Sequence, residues 1–317
     1  MIEYLGELMN EEKTENSAEM DNEKILEEVG RISYKAIMKA KDMVKPGASA
    51  LNIAESIEKF VLDSGFGLAF PLNLSINSEA AHYTPSLDDD RIFGEKDVVK
   101  IDFGAEKEGF YGDCAVTVDL SGENQNLLEA TESALENAIN SIKEGIKAKE
   151  VGKIIESSIK KFGMIPIKNL GGHSVEKNNL HGEIFIPNYE DDNETELKEG
   201  MVIAIEPFAT TASGKGFVTD GDICEIYTYV EDAQTRSQIS RNILAKIKER
   251  YAKEPFAARW LAEIADSKFA LYSGIQELVK TGALKRNPVL VETGNKIVSQ
   301  SEVLIIVEKD SCKVMTK

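Results

Sequence analysis

Two stretches far apart in this chain read alike: EKDVVKIDFGA…EGFYGDCAV around Asp102, and KEGMVIAIEPFA…GKGFVTDGDIC around Glu206. In each, a strand-like run carries an acid at its end, turns through glycine and returns, so Asp102 and Glu206 fall at matching places. A repeated unit of this kind points to two structural halves facing each other, with a site between them. Four strand-like segments in all carry a carboxylate: KIDFG, YGDCA, AIEPF and QSEVLII. The chain has only three histidines, His82, His173 and His181, each in a short polar or Gly-rich context. Asp102, Asp113, Glu206 and Glu302 with His173 make four oxygen donors to one imidazole, the donor set of a hard-to-borderline divalent metal pair.

In Val99–Phe103, Val99, Ile101 and Phe103 share one face, and Lys100 and Asp102 the other. A turn centred near Lys107 sets Asp102 and Asp113 opposite each other, with Cβ atoms about 4.5–5.5 Å apart. Two carboxylates that close repel unless something positive lies between them, and metal ions about 3.5–4 Å apart fit there. Two exposed acids on a polar sheet face fit the same spacing. Glu206 precedes Pro207 and shares a strand face with Val202 and Ala204, so it is expected to point inward. A metal or a basic side chain would relieve its burial. Glu302 and Glu308 share one face of the last strand with Leu304 and Ile306, and periodicity does not choose between them. His173 follows Gly171-Gly172, where the backbone can approach closely, and His181 precedes Gly182.

At 317 residues with 42% apolar content the chain buries a large core, and no run approaches the length that crosses a bilayer. The start lacks a basic region followed by an apolar stretch, so no secretory signal is expected. Cys114, Cys224 and Cys312 have neither metal-type spacing nor an even framework, which suggests reduced thiols in a cytoplasmic protein. The net charge of −18 argues against membrane association and against strong autonomous nucleic-acid binding.

Residues 1–20 read as an acidic, disordered tail; through residue 30 there are ten acidic side chains and two lysines. Ile25, Leu26, Val29, Ile32, Ala36, Ile37, Ala40 and Met43 recur at helical spacing until Lys45-Pro46-Gly47. Ser49 caps a second helix carrying Ile53, Ile57, Phe60 and Val61. A hairpin over Val98–Phe103 and Asp113–Leu120, a helical stretch over Asn124–Lys161, and a strand pair over Met201–Phe208 and Phe217–Val230 follow. Residues 233–286 read as an α-helical insertion containing the only tryptophan, Trp260, before strand character returns at 297–308. The expected domains are therefore the 1–20 tail, a body of 21–232 plus 287–317, and the 233–286 insertion.

PLNLSINSEAAHYTPSLDDDRIFGEKDVVKIDFG followed by GFYGDCAVTVDL closely resembles the type 2 methionine aminopeptidases, in particular the archaeal ones. NLGGHSVEKNNLHGEIFIPN, MVIAIEPFAT, EPFAARWL…SKFALYSGIQELVKTGAL and QSEVLIIVEKD continue the likeness in order, over roughly residues 22–317. The resemblance implies an α+β pita-bread fold of two similar halves and removal of the initiator methionine from nascent proteins. It implies two divalent metal ions (Co, Mn, Fe or Zn) held by Asp102, Asp113, His173, Glu206 and Glu302, with Asp113 and Glu302, not Glu308, bridging. Glu206 would also handle the proton of the attacking water. His82 and His181 would contact the scissile region without binding metal, and Phe70 and Leu180 would lie near the methionine pocket. The expected partners are the N-terminal Met of nascent polypeptides and transient proximity to the ribosome, for a monomeric, cytoplasmic chain.

The chain departs from the family at Val303, where a histidine is common, at Asn287, where an aromatic residue precedes the proline, and at Gly171, which replaces Ser or Asn before Gly-His. The last two bear on pocket shape. A non-catalytic binding protein of the same fold, a proline-directed aminopeptidase and a creatine-cleaving relative are the competing readings. The residues alone reach only a generic dinuclear metallohydrolase.

Overall fold

The computed structural model describes residues 2–251 and 254–317, with side chains from residue 21 onward, so the expected tail over 1–20 lies outside the fully described residues. Helix α1 (Ile2–Met43) buries the stripe Leu26, Val29, Ile32, Ala36, Ile37 and Ala40 and ends just ahead of Gly47, which turns at φ +84°. In α2 (Ala50–Asp63) the Ser49 hydroxyl accepts from the Asn52 N–H at 3.3 Å, a cap worth about 1 kcal/mol. Both helices lie on the antiparallel sheet β1 (Asn73–Ile76), β2 (Val98–Phe103) and β3 (Cys114–Asp119), in that spatial order. Val29, Ile53, Ile57, Leu74, Val99, Ile101 and Phe103 join them in one core, each fully buried apolar side chain contributing about 1.5–3 kcal/mol.

The second half repeats this plan. The helix expected over 124–161 is two, α3 (Gln125–Ser141) and α4 (Ala148–Lys161), because Gly145 at φ +83° turns the chain and the Lys147 N–H, donating to the Glu150 carboxylate at 3.0 Å, opens a new helix. They pack over β4 (Gly171–Ser174), β5 (Phe185–Pro187) and β6 (Val202–Ile205) through Ala134, Val151, Ile155, Ile186, Ile203 and Ile205. Next come β7 (Ile226–Tyr229), α5 (Gln238–Arg250), β8 (Phe256–Ala257), α6 (Lys268–Lys280) and β9 (Leu284–Asn287). The segment 233–286 thus contains strands as well as helices, and its sheet, in the order β8-β7-β9, takes its middle strand from ahead of residue 233. Strands β10 (Val303–Val307) and β11 (Cys312–Val314) complete the second sheet, in the order β5-β4-β6-β10-β11.

The strand pair expected between Met201–Phe208 and Phe217–Val230 does not form: β6 pairs with β4 and β10. Pro207 has no N–H to give a ladder, so the strand stops and the chain leaves the sheet. Of the repeat read from the sequence, the strand ending in an acid is present in both halves, as β2 and β6, but the returning limb in the second half is β10 and not the segment around Phe217. Asp102 lies in β2 and Glu206 just beyond β6; Asp113 and Glu302 each immediately precede the partner strand. The halves meet there, with the Ala115 N–H donating to the Glu302 carbonyl at 3.3 Å and the Glu302 N–H to the Ala115 carbonyl at 3.0 Å.

Candidate metal centre

Asp102 pairs with Ala115, not Asp113. The turn is the two-residue loop Glu108-Gly109, at φ +55° and +80°, flanked by the pair Lys107–Phe110. This shifts the expected register by two residues and makes Asp113 a diagonal neighbour of Asp102. An even shift keeps a side chain on the same face, so both carboxylates still turn toward the site. Gly172 permits the next strand to close in, because a Cβ there would lie 2.1 Å from the Ala204 carbonyl oxygen.

All nine expected site residues line one cleft of about 590 Å³: Phe70, His82, Asp102, Asp113, His173, Leu180, His181, Glu206 and Glu302. Within it, one ligand atom each from Asp113, His173 and Glu302 lies within 4.8 Å of the others. His173 Nε2 is 3.6 Å from Asp113 Oδ2 and 3.8 Å from Glu206 Oε1. Asp102 and Glu206 stand outside the tight triplet and are tied together by Gln300, whose Nε2 donates to Asp102 Oδ2 at 3.3 Å and to Glu206 Oε2 at 3.4 Å. Glu302 is buried, whereas Glu308 is exposed and accepts from the Ser311 hydroxyl. Gln300 was not anticipated from the sequence; its one available signal is a large polar residue inside the apolar run that closes the chain.

Burial, and then repulsion from neighbouring acids, holds the carboxyls of Asp113, Glu206 and Glu302 well above the usual range. Burial pushes Asp102 up to about 7. Asp102 Oδ1 and Glu302 Oε2 are buried without a hydrogen-bond partner among the described residues. Four clustered acids, two of them with an orphaned oxygen, are costly in a low-dielectric interior and fit a cationic occupant. His173 Nδ1 donates to the Ser174 carbonyl at 3.2 Å, which fixes the tautomer and leaves Nε2 as a lone pair facing the acids. Burial lowers its pKa, so the ring stays neutral as a ligand must. His181 lies 4.4 Å from His173, ring to ring, and burial first, then His173 and His82, hold it down at about 3. His82, at φ +67°, donates Nδ1–H to the Pro288 carbonyl at 3.2 Å. Neither His82 nor His181 belongs to the triplet of potential ligands.

The raised carboxyl pKa values set the pH dependence of the metal-free protein. Acids whose folded pKa exceeds the unfolded value add stability below the unfolded value and lose it as pH rises through the folded one. A divalent ion held by these acids would replace those protons. The gain in melting temperature on adding Mn²⁺ to chelated protein should therefore be larger at about pH 8 than at about pH 6. A gain that shrinks with rising pH would contradict the acid cluster.

The model of metallopeptidase family M24 matches residues 24–248. A curated methionine aminopeptidase of Pyrococcus abyssi is 45% identical over 300 residues, covering 94% of this chain and all of that one. A methionine aminopeptidase of Archaeoglobus fulgidus is 41% identical, covering 93% of this chain and 98% of the relative. Among solved structures, a thermophilic Arx1 superposes with a TM-score of 0.79 at 17% identity over 92% of this chain and 89% of that one. A methionine aminopeptidase of Thermotoga maritima superposes with 0.68 at 21% identity over 93% of this chain and 96% of that one. These two carry the likeness of fold.

Proposed function

The chain belongs to the methionine aminopeptidases of metallopeptidase family M24, and we propose that it uses the acid-lined cleft to remove the N-terminal initiator methionine from nascent polypeptides. The observation that carries this reading is the gathering of Asp113, Glu302 and Glu206 around the neutral His173 imidazole, with Asp102 joined through Gln300 and orphaned acid oxygens on Asp102 and Glu302. Asp102, Asp113, His173, Glu206 and Glu302 are the proposed ligands of two divalent ions (Mn, Fe, Co or Zn). Ions held there would polarise the scissile carbonyl and lower the pKa of water.

The protein's own groups do the rest. Glu206 sits at the rim of the cluster with a raised proton affinity, suited to taking a proton from the attacking water and returning it to the leaving amine. His82 and His181, both neutral, orient the substrate and offer hydrogen bonds where charge develops. Phe70 and Leu180 supply the apolar wall for the methionine side chain. The insertion 233–286 closes the cleft through Pro255 and β9. Transient ribosome proximity, a monomeric state and a cytoplasmic location are part of the same proposal. Among the described residues no helix is long and apolar enough to cross a membrane.

The histidines test this division of labour. His173→Ala should lower metal content, since it removes the one imidazole facing the acids. His82→Ala and His181→Ala should retain metal and lose turnover by about 10²-fold, the scale of a positioned acid–base or hydrogen-bonding group. Metal analysis and kcat on Met-Ala-Ser measure both; equal metal loss in all three variants would overturn the assignment.

A further inference from the structure

The antiparallel pair β7–β9 forms one wall of the cleft, and strand alternation decides what it presents. Ile226 is paired with Asn287 and Thr228 with Lys285, and all four side chains line the cleft. Tyr227, between them, is buried in a core cluster with Ile243, Phe256, Leu271 and Leu284. The inner end of this wall lies at His82, which is bonded to the carbonyl of Pro288, the residue following Asn287. Asn287 is already engaged, donating Nδ2–H to Thr228 Oγ1 at 2.8 Å. Lys285 lies two cross-strand pairs further out, on the same face. It is exposed, it is the one cation among the described cleft-lining residues, and it has no ion-pair partner among the described residues. Its charge is among those that bear on both His82 and His181.

The geometry sets what this cation meets. On the proposed reading of the cleft, the acid cluster would take the start of the substrate and His82 and His181 would flank the scissile bond. Asn287 and Ile226, next to His82 along the wall, would then abut the second residue. Two extended residues span about 6.6 Å, which brings Lys285 against the third and fourth. We propose that Lys285 is a specificity-determining residue that favours substrates with aspartate or glutamate at the third or fourth position and disfavours lysine or arginine there. This rests on the reading of the cleft as a methionine-removing site. Divalent ions held there would offset much of the charge of the acid cluster and leave the Lys285 ammonium to act on the peptide beyond the second residue.

The test is kcat/KM of metal-loaded enzyme on Met-Ala-Glu-Glu-Ser, Met-Ala-Gln-Gln-Ser and Met-Ala-Lys-Lys-Ser, in the parent protein, Lys285→Met and Lys285→Glu. The parent should prefer the acidic over the basic peptide by about fivefold at low ionic strength, the scale of an exposed ion pair. High salt should abolish that preference. Lys285→Met should bring the ratio toward unity, and Lys285→Glu should invert it. A ratio that is the same in all three proteins, or that survives high salt, overturns the role of Lys285 while the peptides are still cleaved. Release of methionine from none of the three overturns the reading of the cleft itself, and the proposal with it.

Discussion

Glu206→Gln is expected to cut turnover of a Met-Ala peptide by about 10²-fold or more, the usual scale for losing a positioned general base. The substitution keeps the shape of the side chain and one oxygen donor, and removes a charge and the proton acceptor. The Gln300 Nε2–H that reaches Glu206 Oε2 at 3.4 Å can still find the carboxamide oxygen, so the orientation should persist. The effect should fall on kcat more than on KM, because the proton transfer is made only in the transition state. Metal content must be measured on the same sample, since His173 Nε2 lies 3.8 Å from Glu206 Oε1 and an ion between them would draw on both. A variant that retains kcat within a few-fold at full occupancy would remove Glu206 from the chemistry.

The second large effect belongs to a buried ion pair outside the acid cluster. Glu58 and Arg259, 5% and 6% exposed, join α2 to the segment 233–286. The Arg259 guanidinium also donates to Thr84 Oγ1 at 2.8 Å and to the Pro85 carbonyl at 2.9 Å. The other Glu58 contacts come from the Trp260 indole N–H at 2.9 Å and the Leu72 N–H at 3.1 Å. One carboxylate and one guanidinium therefore fix the segments that follow Phe70 and His82, both of which line the cleft. Arg259→Ala leaves Glu58 buried and unpaired and should destabilise the protein by about 3–5 kcal/mol. The combined variant Glu58→Leu/Arg259→Met removes both charges and should lose less than the sum of the single changes. Urea unfolding of the parent, Glu58→Leu, Arg259→Met and the combined variant checks the cycle, and that of Arg259→Ala the cost of the unpaired acid. A cost below about 1 kcal/mol for Arg259→Ala, or simple additivity, would show that the pair behaves like an exposed one.

Local structure was legible where periodicity is strong. The stripe from Leu26 to Ala40 and the Ser49 cap are where the spacing placed them. The first hairpin was recognised, but its register was misjudged by two, because Glu108-Gly109 is a weaker turn signal than Asn-Gly and the loop was centred too early. The Gly145 break between α3 and α4 was passed over, since one glycine in a long periodic stretch does not announce a positive φ. The pairing of β6 with β4 and β10 joins segments remote in sequence, which periodicity cannot see. The choice between Glu302 and Glu308 came from the family resemblance; in the structure Glu302 lies in the cleft and Glu308 in solvent. Gln300 and the Glu58–Arg259 pair were not legible, since each acts through partners far along the chain.

The most direct measurement is cleavage of Met-Ala-Ser, Ala-Pro-Ser and Leu-Ala-Ser by metal-loaded protein, with the free amino acid identified. Release of methionine from Met-Ala-Ser, dependent on added divalent metal after chelation and with little product from the other two peptides, is the predicted result. Preference for Ala-Pro-Ser, or no cleavage of any peptide despite full metal occupancy, would contradict it.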